Sequence, residues 1–403
     1  MGWMKHFLVF GTHPRLSLAE FKAIRPDLKA APTVCGPAAI VDDATWDGAA
    51  FMQKLGGTVK LGDVLLELPK DGVTADAIAD LIRSKPRGGK VMFGLTAYGG
   101  TPQTKKRLEN LALDVKRSLS RKGFPARWVT SENGALSPAA VAKLHLTTDG
   151  YDVVLLAHGD TVSIGFTTEV QDADAWSLRD YGRPVRDDEN GMLPPKLARM
   201  MANLAGCPEK GVILDPFCGS GTVLMEAALA TKASKIIGSD NSAEQVAATA
   251  KNLEWCVTKR ILRPDDAARF KVFQADVRNL SRHVQTGSVD RVVTEGYLGP
   301  PLTGHETLET LKRNVKEISD LWRDTFAALH PLMKEGGRIV CVWPSFKSSH
   351  GVARVDLSAD PDLPKRFKIV DPLGDWDTSQ DPLLYHRPSQ RIMRRIVILE
   401  RMA

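Results

Sequence analysis

The spacing of apolar and polar positions along this chain switches repeatedly between a strand-like and a helix-like period, and each switch marks an element. Phe7–Phe10 reads as a first strand. A helix follows from Ser17 to Ile24, with Ser17 as N-cap and Glu20 completing a capping box. Ala38–Val41 is a strand, Ala49–Leu55 a helix broken by Gly56 and Gly57, Val64–Leu68 a strand and Asp76–Ile82 a helix. Further along, Lys90–Tyr98 is a strand, and Thr104–Arg121 is amphipathic, with Leu108, Leu111, Val115 and Leu119 on one stripe. Arg127–Val129 is a short strand. Ser137 and Pro138 open a helix to Leu144, and Tyr151–Ala157 and Val162–Phe166 pair around a turn at His158–Asp160.

The stretch from Gln171 to Asn190 mixes acids and arginines without an apolar period and is expected to be a linker. Beyond it the chain runs strand, helix, strand, helix and goes on to further strands. The strands are Gly211–Leu214, Lys235–Asp240, Phe270–Asp276, Val289–Thr294, Gly336–Trp343, Phe367–Val370 and Ile392–Glu400. The helices are Thr222–Ala230, Ser242–Val257 and Thr307–Leu329, and His305 is expected to cap the region before the last of these. The expected organisation is therefore a ferredoxin-like unit over 1–89, an α/β module over 90–170, the linker, and an α/β domain over 191–403.

Chemistry concentrates where the first strand of the last domain turns into its helix. Ile213–Thr222 is a buried strand end, a turn with Gly219 and Gly221, and a helix start, which together open a crevice at the carboxyl edge of a sheet. A carboxylate follows at the end of each of the next two strands, Asp240 and Asp276. Asp240 lies about 20 residues after the turn, where doubly wound folds hold ribose hydroxyls. No Gly-Lys-Ser/Thr follows the glycines, which excludes a P-loop, and Leu224 leaves the dinucleotide fingerprint incomplete.

The residues Asp215 to Thr222 resemble the first motif of S-adenosylmethionine-dependent amino-methyltransferases. That resemblance implies that Asp215 and the backbone of Pro216, Gly219, Gly221 and Thr222 surround the methionine part of the cofactor. It places Asp240 with Asn241 at the ribose, and Asp276 with Val277 at the adenine. Ser177–Pro184 and Gly191–Ala198, taken with this motif, resemble the tRNA guanosine-N2 methyltransferases that act on guanosine 10, and their bacterial relatives. The family implies a ferredoxin-like unit and a THUMP RNA-binding module ahead of a Rossmann-like, seven-stranded methyltransferase domain. Met192 and Pro195 then line the cofactor pocket.

In the family, an (Asp/Asn)-Pro-Pro-(Tyr/Phe) loop after the fourth strand holds the target amine. Here the strand continues Thr294-Glu-Gly-Tyr-Leu-Gly-Pro300, so both prolines are missing. Glu295 takes the position of the acid and Tyr297 is the stacking ring one residue early, with Gly299 and Pro300 beside the substrate. No Pro-Cys follows this strand, which disfavours cysteine-based methylation of a pyrimidine carbon.

Composition adds a partner. Twelve Lys/Arg against two acids lie between Arg83 and Arg127, more than the net charge of +6 over all 403 residues. Lys105, Lys106, Arg107, Lys116 and Arg117 are expected to bind the phosphates of a nucleic acid, which the family resemblance implies is RNA, and tRNA in particular. The nine scattered histidines show no metal cluster, no run of 18 apolar residues suggests a membrane span, and five unpatterned cysteines suit a reducing cytoplasm. DNA amino-methylation and an RNA-binding protein with a degenerate methyltransferase fold are the alternatives.

Overall fold

A computed structural model describes residues 5–87, 90–99, 104–130, 135–186, 192–377, 379, 381–387 and 390–403; the side chains of 104–106 are outside the description. The chain forms two compact units, one of Met1–Pro14 with Asp27–Ala175 and one of Arg15–Pro26 with Trp176–Ala403.

The first unit is built on eight strands: β1 (Lys5–Phe10), β2 (Thr33–Val34), β3 (Ala38–Asp42), β4 (Thr58–Pro69), β5 (Val91–Tyr98), β6 (Ala126–Val129), β7 (Tyr151–His158) and β8 (Thr161–Val170). They make one sheet in the order β2-β3-β1-β4-β8-β7-β5-β6. The half from β2 to β4 is antiparallel throughout, whereas β5 runs parallel to both β6 and β7. Both parts expected as separate modules thus share one sheet, joined where β4 pairs with β8. Helices α2 (Gly48–Lys54), α3 (Ala75–Ser84), α4 (Thr104–Arg121) and α5 (Pro138–Lys143) complete the unit. The apolar stripe of α4 does what its period predicts: Val115 and Leu119 are fully buried among Ile78, Phe93 and Val153.

Helix α1 (Pro14–Ile24) begins three residues before the expected cap, so Ser17 and Glu20 lie inside it, buried. Glu20 accepts from Asn203 Nδ2 at 2.7 Å instead of closing a capping box. The expected linker contains α6 (Ala173–Tyr181). Its polar appearance misled because Arg179 is buried by pairing. Arg179 Nε and Arg199 Nη2 each donate at 2.7 Å to Glu226, whose carboxylate is fully enclosed, and both guanidiniums lie over the Trp176 ring. A carboxylate between two forks satisfies charges that composition alone assigns to solvent.

The second unit continues with α7 (Pro195–Ala205), β9 (Val212–Asp215), α8 (Thr222–Ala230), β10 (Lys235–Asp240), α9 (Ala243–Thr258), β11 (Phe270–Gln274) and β12 (Val289–Thr294). It ends with α10 (Leu308–Leu329), β13 (Met333–Ser348), β14 (Gly351–Arg354), β15 (Phe367–Ile369), β16 (Leu383–Tyr385) and β17 (Ile392–Arg401). Among the described residues its sheet has nine strands, against the seven expected. Seven follow one path, β11-β10-β9-β12-β13-β17-β15, while β14 pairs off β13 and β16 off β17. The two additions are a hairpin made by extending β13 and a three-residue strand, too short to show a period. Strands β9 to β13 are mutually parallel, and β17 is antiparallel to its neighbours. The order reverses at β9, between β10 and β12, which is where such a sheet opens its crevice.

Candidate functional site

At that reversal the carboxyl ends of four strands surround one cavity of about 570 Å³, within the range of small-molecule sites. Val212–Asp215 is apolar because it is covered on both faces, and it delivers Asp215 to the cavity with only 2% of its surface exposed. Asp215 Oδ1 accepts from Phe217 N at 3.1 Å, tightening the turn. Burial pushes its carboxyl up to about 7. Gly219 follows at φ +49 with open space where a Cβ would stand, so its backbone is bare toward the cavity. Gly221 has a different duty. It is at φ +88, and a Cβ there would meet Thr249 of α9 at 3.1 Å, so its small size serves helix packing.

The other acids are held by local donors. Asp240 accepts from Gly219 N and Ser242 N, each at 3.0 Å, which fixes its carboxylate at the rim. Asp276 is gripped by Arg278, whose Nε and Nη2 donate at 2.9 and 2.6 Å. That guanidinium holds the Asp276 carboxyl down at about 2.

On the opposite wall the loop after β12 crosses an aromatic floor. Gly296 is at φ +74, and a Cβ on it would sit 2.6 Å from Trp322 Cζ2. Trp322 of α10 is almost wholly buried, stacks on Phe326 and meets Phe217 edge-on. The glycine in place of a proline is therefore a fit to this ring. Glu295 lines the cavity and accepts from Arg394 Nε of β17 at 2.5 Å. Burial raises its carboxyl above the ordinary range, and the Arg394 charge opposes that rise. Tyr297 lies at the mouth, half exposed.

Residues 183–355, which contain all four strand ends, match the family described as UPF0020: RMKL-like, methyltransferase domain. Over 157 residues the chain is 32% identical to the tRNA (guanine(10)-N2)-dimethyltransferase of Methanothermobacter thermautotrophicus, covering 39% of this chain and 40% of that one. Over 183 residues it is 30% identical to the protein of the same description from Methanocaldococcus jannaschii, covering 44% and 48%. The aligned stretches thus span less than half of either relative. The crystal structure of TrmN from Thermus thermophilus superposes with a TM-score of 0.56 over 99% of this chain and 100% of that one, at 18% identity, a likeness of fold.

Within the second unit, the cavity gathers Met192, Asp215, Pro216, Gly219, Thr222, Asp240, Asn241, Asp276, Val277, Glu295, Tyr297 and Gly299 of the expected set. Pro195, Gly221 and Pro300 are not in its wall. Pro195 is the first residue of α7 and buried, Gly221 packs on α9, and Pro300 is exposed beyond the loop. Thr307, not His305, caps α10 by accepting from Thr310 N at 3.2 Å. Arg278, Ser220 and Gln245 also line the cavity. Arg278 could have been found two residues after the strand-end acid, the spacing at which a short turn folds a guanidinium back. Arg394 carried no such local signal, because it lies 99 residues from Glu295.

The basic segment belongs to the first unit. Arg107, Lys116 and Arg117 are exposed, and the side chains of Lys105 and Lys106 lie outside the described residues. Charge counting along the chain overstated its positive face, since Asp76 and Asp80 of α3 pair with Arg83, Arg121 and Lys122, and Asp114 pairs with Arg117. Among the described residues no group of His, Cys, Asp and Glu could hold a metal, and no helix is long and apolar enough to cross a membrane.

Proposed function

We propose that this protein transfers a methyl group from S-adenosylmethionine to the exocyclic N2 of a guanosine in tRNA. The observation that carries the reading is the convergence of Asp215, Asp240, Asp276 and Glu295 on one cavity beside a glycine turn. The donor set fits the cofactor: a bare glycine backbone, a rim carboxylate for two hydroxyls, and acids that complement a sulfonium cation. When bound, S-adenosylmethionine supplies an electrophilic methyl with a neutral thioether as leaving group.

The chain's own residues then have little covalent work. Asp240 accepts from paired ribose hydroxyls while Gly219 N and Ser242 N hold it still. Asp276, clamped by Arg278, keeps a lone pair for the adenine amine. Glu295 orients the target nitrogen and accepts its hydrogens as positive charge develops there, and Tyr297 covers the base. An ionised carboxylate only accepts, which matches the adjacent N1–H and N2–H donors of guanine. Adenine and cytosine place a ring acceptor beside the amine.

The names of the curated relatives support tRNA and guanine N2 for this chain. Ahead of the domain, strands β2-β3-β1-β4, antiparallel in that order, with α2 support a ferredoxin-like unit. The parallel β5, β6 and β7 with the basic α4 support a THUMP-like RNA-binding module, and a chain whose five cysteines are all free suits a cytoplasmic enzyme. The test is to incubate the purified protein with S-adenosylmethionine and unmodified tRNA and to analyse the digested nucleosides by mass spectrometry. N2-methylguanosine is expected. A methyl group on another base, or on DNA alone, would overturn the reading.

A further inference from the structure

From the pairing of β17 with the loop after β12, we infer that Arg394 is a positioning residue of the reaction: it keeps Glu295 ionised and turned as an acceptor. This rests on the methyl transfer proposed above.

Arg394 sits in the middle of the sheet, opposite Pro344 on β13 and Tyr385 on β16. Neighbouring residues of a strand face opposite ways. Arg395 pairs with Asp356 at 3.0 Å and lies over the Trp343 ring. Arg394 is turned to the crevice, only 3% exposed, with Nε 2.5 Å from Glu295 Oε1 and Nη1 3.4 Å from Gln390 Oε1. Among the described residues, Glu295 Oε2 makes no hydrogen bond, which leaves it for a ligand of the cavity.

A guanidinium in the interior loses its hydration, so its position needs a reason. The reason is the charge balance around Glu295. Asp215 at the end of β9 and Asp240 at the end of β10 line the same cavity, and the buried Glu295 carboxyl is already raised. Without a cation it would hold a proton and present a donor where the amine needs an acceptor. Asp276 is neutralised by Arg278, and Arg395 by Asp356, so Arg394 is the cation placed for this acid. The geometry also explains the longer acid. Glu replaces Asp in the loop, and its extra methylene spans to β17 while leaving the second oxygen free.

The experiment compares wild type, Arg394→Gln and Arg394→Lys by three readouts. Calorimetry with S-adenosylhomocysteine should give affinities within about twofold, since Arg394 is outside the cavity wall. Single-turnover methylation of unmodified tRNA should slow ~100-fold in Arg394→Gln, with tRNA affinity little changed. The acid limb of its pH–rate profile should move up by about one to three pH units, and Arg394→Lys should restore part of both. Carbon-13 titration of labelled glutamate carboxyls should show the same displacement for Glu295, identified by its absence in Glu295→Gln. If Arg394→Gln leaves the limb and the titration in place, Arg394 is a structural clasp and the inference fails. If wild type methylates a base other than guanine, the proposed substrate fails while the profile still judges Arg394. If no RNA is methylated, the glutamate titration judges it alone.

Discussion

Replacing Gly296 by Ala should show how tightly the loop is matched to its floor. Two costs add at this residue. A side chain at φ +74 is in the left-handed region, which costs about 1–2 kcal/mol. The new Cβ would also stand 2.6 Å from Trp322, a ring fixed by Phe217 and Phe326 and unable to retreat. Overpacking of that kind costs about 1–3 kcal/mol. If the loop keeps its path, Gly296→Ala should lose about 2–5 kcal/mol, or about 4–20 °C of melting temperature for a unit of this size. If the loop shifts instead, melting changes less and Glu295 is displaced, so turnover falls ~100-fold with S-adenosylmethionine affinity retained. Scanning calorimetry and single-turnover methylation read the two outcomes. A double-mutant cycle with Trp322→Leu should recover the steric part, giving a coupling of about 1–3 kcal/mol. Gly296→Ala melting within about 1 °C of wild type and turning over normally would refute the argument.

Asp240→Ala should weaken S-adenosylmethionine binding by removing the acceptor of two hydroxyls; wild-type affinity by calorimetry in a folded variant would sink the ribose assignment. Asp215 is buried with its carboxyl raised from 3.8 to about 7, so its contribution to stability is fully present below the unfolded pKa and is lost as pH rises through 7. Asp215→Asn should remove that dependence, gaining on wild type by on the order of 4 kcal/mol between pH 4 and pH 8, and parallel denaturation curves across that range would contradict it. Reversing Lys105, Lys106 and Arg107 to Glu should weaken tRNA binding and make its salt slope shallower by ~0.7–0.9 per lost phosphate contact, with S-adenosylmethionine affinity unchanged. An unaltered slope would reduce this helix to a solvated face.

Much of the second unit could be read from local pattern because β9, β10, β11 and β12 are short and each leads to a carboxylate at the cavity. Asp215, Asp240, Asp276 and Glu295 each lie at or just past the carboxyl end of a strand, and all four reach the cavity. What pattern could not carry is partnership across the chain. Arg179 reads as solvent-facing until Glu226 is brought to it, and the bases of α4 read as unopposed until α3 lays Asp76 and Asp80 beside them. In the sequence Gly296 shows only as a missing proline, whereas Trp322, 26 positions later, makes it a tight contact. The family resemblance assigned Pro195 and Gly221 to the cofactor site; Pro195 begins α7 and Gly221 packs on α9, outside the cavity wall.

Helix α1 carries a consequence for how the molecule is made. Arg15–Pro26 belongs to the second unit, while the residues on both sides of it belong to the first. Its partners come late in the chain: Phe21 lies against Trp376, and Lys22 Nζ reaches Asp375 at 3.0 Å. A ribosome releases Lys22 353 residues before Asp375, so this part of the helix must wait without that partner while the intervening chain is made. The sheet of the second unit can begin to form as its strands emerge, yet it is finished only once β17 has followed. Cutting the gene between the two units would accordingly produce a second half that lacks a piece of itself, and a remedy would be to supply residues 15–26 as a separate peptide.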